Sequence, residues 1–204
     1  MKLYWSPRSP FVRKVMVFAH ETGLTGRIET VKTLVSSTAA NHELMRLNPL
    51  GKIPTLVTDD VKVLFDSYVI CEYLDSLHGG EKYIPHAPEK RWQALRWHAL
   101  GDNMLDNALL WRNERLRPKA QQSPETLAAY DAKVRSGLDA LDGEATALGA
   151  TAVGIGHVAI AVVLGYLDFR FPDLGWRDGR PKIAAWHATF AQRPSYRNTL
   201  PVDA

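Results

Sequence analysis

The sequence predicts an α/β domain followed by an all-helical domain. Over the first eighty residues short β-rich runs alternate with segments of helical period. A turn-rich stretch without periodicity follows, and almost everything beyond it has helical period. The 204 residues are enough for two small domains, and 46% hydrophobic with 23% charged residues is an ordinary soluble composition.

Lys2 to Trp5 predicts a first strand. Pro10 to Thr22 predicts a helix, with Phe11, Val15, Phe18 and Ala19 on one apolar stripe and Gly23 as its stop. Arg27 to Val35 reads as a second strand, and Thr38 to Leu47 as a short helix closed by Asn48-Pro49. The runs PTLVT and VKVLF, split by Asp59-Asp60, predict a hairpin. Ser67 to Leu77 is then a helix closed by Gly79-Gly80, which makes the order βαβαββα, a mixed sheet flanked by helices. Residues 1–78 form the first domain in this reading and GGEKYIPHAP, 79–88, the linker. Residues 89–204 form the helical domain, with helices over Glu89–Arg117, Glu125–Leu148, a segment from Val158, and Lys182–Gln192.

Thr151 to Leu167 is nearly uncharged, yet it is shorter than the ~18 apolar residues that a membrane span needs. It reads as a buried core helix. The net charge is +3, from 25 basic and 22 acidic residues spread without a run or stripe, which argues against a nucleic-acid or membrane-surface role. Cys71 is the only cysteine and falls in the apolar pattern of its helix, so neither an intrachain disulfide nor a CxxC pair exists. The N-terminus shows no basic-then-apolar signal, which predicts a cytoplasmic protein. The seven histidines show no metal-ligand spacing, and the lone His98/Asp102 pair does not justify assigning a metal.

Three stretches carry chemistry. In Ser6-Pro-Arg-Ser-Pro-Phe, Ser9 stands at the N-cap and Pro10 at the favoured first helical position, while Ser6 lies nearer the strand end. In NPLGKIPTL, Pro54 belongs at a strand start. Local sequence alone favours a loop with a trans proline there. The alternative is a cis Ile53–Pro54 bond that turns the Ile53 backbone outward to pair with an extended peptide. Asp66-Ser67 opens the next helix, either as Ser67 capping with Asp66 favourably placed for the dipole, or as a site for a carboxylate and an ammonium together.

SPFVRKV, NPLGKIPTL and FDSYVICEYL, in this order before a helical domain, resemble the thioredoxin-like domain of the cytosolic glutathione transferases, in a bacterial-type form with a serine at the active position. The resemblance spans essentially the whole chain. It implies a thioredoxin-like domain with glutathione as co-substrate, contacted by Ser9, Phe11, Lys52, Ile53, Pro54, Asp66 and Ser67. It also implies a detoxifying, homodimeric enzyme that transfers glutathione to a small hydrophobic electrophile. Ser9 would stabilise the thiolate, and a serine there disfavours disulfide exchange through an enzyme thiol. For the electrophile the candidates are Trp5, Asp102, Asp106, Trp111 and Tyr166. Asp102 and Asp106 interrupt a stripe with Leu95, Ala99 and Leu109, and Trp111 continues an apolar one. A non-catalytic binding protein of the same fold, or a glutathione-dependent isomerase or dehalogenase, is the alternative. The family's helical domain usually starts its central helix with a Ser/Thr-x-x-Asp box. Here Gly154-Ile-Gly-His157 stands there, which predicts a weaker cap.

Overall fold

The structure, a computed structural model, describes residues 1–203. The chain divides into two compact units, one of Met1–Ile84 with the C-terminal segment from Pro194, the other of Pro85–Arg193.

The first unit is built on a four-stranded sheet in the order β2-β1-β3-β4. Its strands are β1 (Lys2–Trp5), β2 (Glu29–Lys32), β3 (Thr55–Val57) and β4 (Val63–Leu64). β1 pairs parallel with β2 and antiparallel with β3, and β3 pairs antiparallel with β4. Helix α1 (Pro10–Glu21) packs on α3 (Ser67–Ser76), and α3 packs on β3. The core joins Leu3 and Leu56 of the sheet to Val15 and Phe18 of α1 and to Ile70, Cys71 and Leu74 of α3, all fully buried. This is the thioredoxin-like arrangement with the strand and helix order βαβαββα.

Helix α2 is a single turn, His42–Met45, and not the ten residues expected from Thr38. The Thr38 N–H donates to the Ser36 hydroxyl at 3.1 Å, a local turn that competes with helix formation. Asn41 then caps the turn, its side chain accepting from the Leu44 N–H at 2.9 Å. The stretch after α3 has no helix or strand, yet it is tied down. The Asp75 carboxylate accepts from the Tyr83 and Ile84 N–H groups, both at 3.0 Å, and the Tyr83 hydroxyl donates to the Glu21 carbonyl at 3.0 Å. A one-turn helix, α8 (Pro194–Arg197), packs on α1, where Tyr196 lies 4.1 Å from the Arg13 guanidinium.

The second unit is all-helical: α4 (Pro88–Arg115), α5 (Pro124–Ala150), α6 (Ile155–Arg170) and α7 (Pro181–Phe190). Helix α6 is buried from Ile155 through Leu167 and packs against α4 and α7, while α5 packs against α4 and α7. No helix among the described residues is long and apolar enough to cross a membrane.

The weak cap expected at α6 needs correction. Gly154 is the N-cap, and its N–H donates to His157 Nδ1 at 3.1 Å, so the histidine performs the reciprocal half of a capping box. With Nδ1 accepting, the ring proton sits on Nε2, which is 3.1 Å from both the Leu148 carbonyl and the Thr151 hydroxyl. Burial pushes the imidazole below its ordinary pKa of 6.5, and the bonds to Leu148 and Gly154 only partly offset that, so the ring is held neutral.

Candidate functional site

Strand direction decides which sequence segments meet. β1 ends where β3 begins, since Tyr4 pairs with Thr55 and Lys2 with Val57. β4 ends at the same place, since Val63 pairs with Val57 and Leu64 with Leu56. The Ser6–Ser9 loop, the Lys52–Pro54 approach and Phe65–Ser67 therefore all leave the sheet at one edge. Continuing the two registers sets Ile53 opposite Ser6 on one side and Ser67 on the other. The opposite edge carries an open cleft of about 660 Å³ lined by Met1, Arg27, Val57 and Asp59 among others. Its one aspartate, Asp59, is already paired with the terminal amine at 2.6 Å and with Arg27 at 3.2 Å.

At the first edge, Ser9 caps α1 as expected, its hydroxyl oxygen accepting from the Val12 N–H at 3.3 Å. That bond uses a lone pair and leaves the hydroxyl proton available to an anion. Pro10 has no N–H, and the Phe11 N–H has no partner among the described residues. One hydroxyl and one amide thus stand as donors at the positive end of α1. Ser6 is more buried, with its side chain accepting from the Arg8 N–H at 3.4 Å and its carbonyl from the Ser9 N–H at 3.2 Å. It shapes the turn. Arg13 is buried against Tyr196, whose carbonyl accepts from its guanidinium at 3.4 Å.

The Ile53–Pro54 bond is cis, where local sequence alone favoured trans. The backbone N–H and carbonyl of Ile53 make no hydrogen bond among the described residues, because the β1–β3 ladder begins at Thr55. Asn48, read from sequence only as the end of a helix, holds this approach in place. It is 2% exposed, and its amide donates to the Lys52 carbonyl at 3.0 Å and to the Thr55 hydroxyl at 3.1 Å. Its oxygen accepts from the Leu50 N–H at 3.1 Å, and Gly51 turns the chain at φ +60. The Asn-Pro-x-Gly run was the available signal, a turn former ahead of a glycine. Lys52 points outward, with its ammonium in no ion pair among the described residues.

The N-cap of α3 is Asp66, not Ser67. Its carboxylate accepts from the Tyr68 N–H at 3.0 Å and the Val69 N–H at 3.5 Å, so the acid does the work assigned to the serine. Ser67 becomes the first helical residue. It is 1% exposed, and neither its hydroxyl nor its N–H has a partner among the described residues. The Phe65–Asp66 peptide bond is also cis.

Trp5 ends β1 and is half-buried. The other electrophile candidates lie in the helical unit. Asp106 is exposed on α4, and Asp102 lies 3.9 Å from His98. Trp111 stacks on Phe171 at 4.7 Å between centroids, and Tyr166 is buried, which pushes its phenol above the ordinary value of 10.0.

Family comparisons agree with this fold. The family model for the glutathione S-transferase N-terminal domain matches residues 8–77, and that for the C-terminal domain matches residues 124–189. The uncharacterized GST-like protein YibF of Escherichia coli K12 is 34% identical over 206 residues, covering all of both chains. The chain belongs to the glutathione S-transferase family. A glutathione transferase family member from Pseudomonas fluorescens Pf-5, solved with bound glutathione, is 42% identical with a TM-score of 0.95 over 99% of each chain. A glutathione S-transferase from Methylobacillus flagellatus, solved with glutathione bound, is 33% identical with a TM-score of 0.87 over 98% of this chain and 99% of that one.

Proposed function

We propose that this glutathione transferase family member binds glutathione along the edge where β1, β3 and β4 converge, and that Ser9 stabilises the bound thiolate. The observation that carries the reading is the set of unused groups at that edge: the Ser9 hydroxyl proton, the Phe11 N–H, the Ile53 backbone and the Ser67 hydroxyl and N–H. They suit a peptide thiol end to end. The Ile53 backbone pairs with the cysteinyl part beside Pro54 as a strand would, and Lys52 meets a carboxylate. Ser67 receives the γ-glutamyl carboxylate at the α3 N-terminus, and the Asp66 carboxylate meets the ammonium next to it.

A free thiol titrates near ~8.5, so only a few per cent is thiolate at neutral pH. A hydrogen bond to a charged group is worth roughly 1.5–3 kcal/mol, which is about one to two pKa units at 1.36 kcal/mol each. The Ser9 hydroxyl, the Phe11 N–H and the α1 dipole together suffice to make the thiolate abundant. Its sulfur then forms a bond to carbon of the electrophile, and the leaving group departs with the bonding pair. Addition, halide displacement and peroxide reduction all start from that thiolate. The reading includes a cytoplasmic homodimer whose helical unit receives the electrophile. The glutathione complexes of the two relatives above support the glutathione part of it.

The test is retention on immobilised glutathione followed by conjugation to chlorodinitrobenzene. Ser9→Ala should bind glutathione and lose roughly 10–100-fold in turnover at neutral pH, recovering as pH rises past the raised thiol pKa. Failure of the wild type to be retained sinks the glutathione site. Retention without turnover of any electrophile points to a binding protein. Full activity in Ser9→Ala with loss in Ser6→Ala moves the role to Ser6.

A further inference from the structure

Helix α1, whose mouth carries Ser9, is held along its length by the C-terminal segment of the chain. Ser9, Arg13, Val17 and Glu21 follow one another at steps of four and form a single row along α1. The segment from Pro194 belongs to the same compact unit as α1, and its helix α8 packs on α1. It grips that row at two points. Near the mouth, Arg13 Nη2 donates to the Tyr196 carbonyl at 3.4 Å, and the guanidinium lies 4.1 Å from the centre of the Tyr196 ring. At the other end of the helix, the Ser195 hydroxyl donates to the Glu21 carboxylate. Val17, between the two grips, is fully buried. The grips stand about 12 Å apart along the helix axis.

Three observations set this strap apart from ordinary terminal packing. The first is depth, since Arg13 and Tyr196 are each 5% exposed and Ser195 is 4% exposed. A guanidinium is costly to take out of water, and an apolar side chain of similar volume often stabilises more in its place. Stability alone therefore does not account for an arginine here. The second is closure, since the Thr199 hydroxyl donates to the Ser195 carbonyl at 2.8 Å and so holds the strap in its own shape. The third is position. The Arg13 N–H donates to the Ser9 carbonyl at 3.0 Å, the first backbone bond of α1. The residue that the strap grips is the one that ties the Ser9 cap to the helix.

We propose that Arg13 and Tyr196 are positioning residues for the thiolate, and that the C-terminal strap fixes the mouth of α1 for that purpose. The inference rests on the reading that Ser9 stabilises the thiolate of bound glutathione. The Ser9 hydroxyl and the Phe11 N–H are donors whose worth to a sulfur anion depends on distance and angle. Both belong to the start of α1, which is held by the capping bond to Val12 and by the stacked guanidinium one turn further in. Helix ends fray. With the strap loosened, the first turn opens, the donors lose their aim, and the bound thiol becomes less acidic.

The experiment titrates glutathione bound to the protein, following the thiolate by its ultraviolet absorbance, with Ser9→Ala as the reference. Tyr196→Ala should raise the bound-thiol pKa by about one unit, equivalent to about a 10-fold loss of thiolate and of kcat at neutral pH. The KM for glutathione should stay within about threefold, because the groups of Ile53 and Ser67 are untouched. Tyr196→Phe keeps the ring against the guanidinium and should titrate as the wild type, while Arg13→Lys loses the planar stack and should fall between. A merely structural role would lower the melting temperature and leave the titration where it was. Should Tyr196→Ala not fold, Arg13→Lys carries the same comparison. A wild-type titration in these variants, with that of Ser9→Ala raised, overturns the strap and leaves the thiolate reading standing. An unshifted titration in Ser9→Ala sinks that reading, and the strap with it.

Discussion

Replacing His157 by alanine removes both partners of its ring from a buried helix start. The Gly154 N–H loses its acceptor at 3.1 Å, and the Leu148 carbonyl keeps only the Thr151 hydroxyl at 3.5 Å. A buried group left unpaired costs about 1–3 kcal/mol. The edge-to-face contact of the ring with Trp97, 5.3 Å between centroids, adds to the loss, by about 0.5–1.5 kcal/mol. Together the loss is roughly 3–5 kcal/mol, a drop in Tm on the order of 10 °C for a chain of this size. Asparagine at the same place keeps an acceptor for Gly154 but not the reach to Leu148, so His157→Asn should lose about half as much. The sign of the pH dependence follows from the depressed imidazole. The unfolded chain binds the proton first as pH falls, so the contribution is whole above the ordinary value of 6.5 and is lost below it, toward the lower folded value. Thermal melts by circular dichroism at about pH 7.5 and about pH 5.5 read both effects, since the wild type should lose stability on acidification and His157→Ala should lose less. A loss under about 1 kcal/mol in His157→Ala, with the wild-type acid slope intact, would refute the capping role.

Two further outcomes can be measured on the same preparations. Gly101→Ala drives a methyl to 2.8 Å from the backbone of α6, where no side chain can yield; it should destabilise by roughly 1–3 kcal/mol in urea melts, against the usual gain from glycine to alanine in a helix. Asn48→Ala frees the Lys52 carbonyl and the Thr55 hydroxyl from their shared amide; glutathione should bind about 10-fold more weakly by calorimetry, while Ser9-dependent chemistry at saturating glutathione is retained.

The order of elements was legible because it depends on period and punctuation, which are local. The expected helix from Pro10 and helix from Ser67 both appear, and the buried helix appears as α6, starting at Ile155. Where expectation failed, a side chain had competed with the backbone. Ser36 and Asn41 cut the predicted ten-residue helix to one turn, and Asp66 took the cap assigned to Ser67. His157 is the reverse case. Its residue type did not match the usual capping box, but an imidazole with one bare nitrogen accepts from an N–H as an aspartate would. The helix α8 was missed because four residues show no period at all.

The candidate site divides along the same line. A hairpin brings the start of its first strand beside the end of its second, so PTLVT followed by VKVLF already implies that Pro54 and Asp66 are neighbours. Nothing local says that β1 lies next to β3 or that it runs antiparallel to it. That pairing, Tyr4 with Thr55, is what carries Ser9 to the same edge as Ile53 and Ser67. Had β1 run parallel to β3, the mouth of α1 would stand at the Asp59 end, where the terminal amine and Arg27 already occupy the carboxylate. A motif in this chain is therefore a statement about residue chemistry, and it becomes a site through strand direction, a long-range property set by which faces of α1, α3 and the sheet bury Leu3, Leu56, Phe18 and Ile70 together.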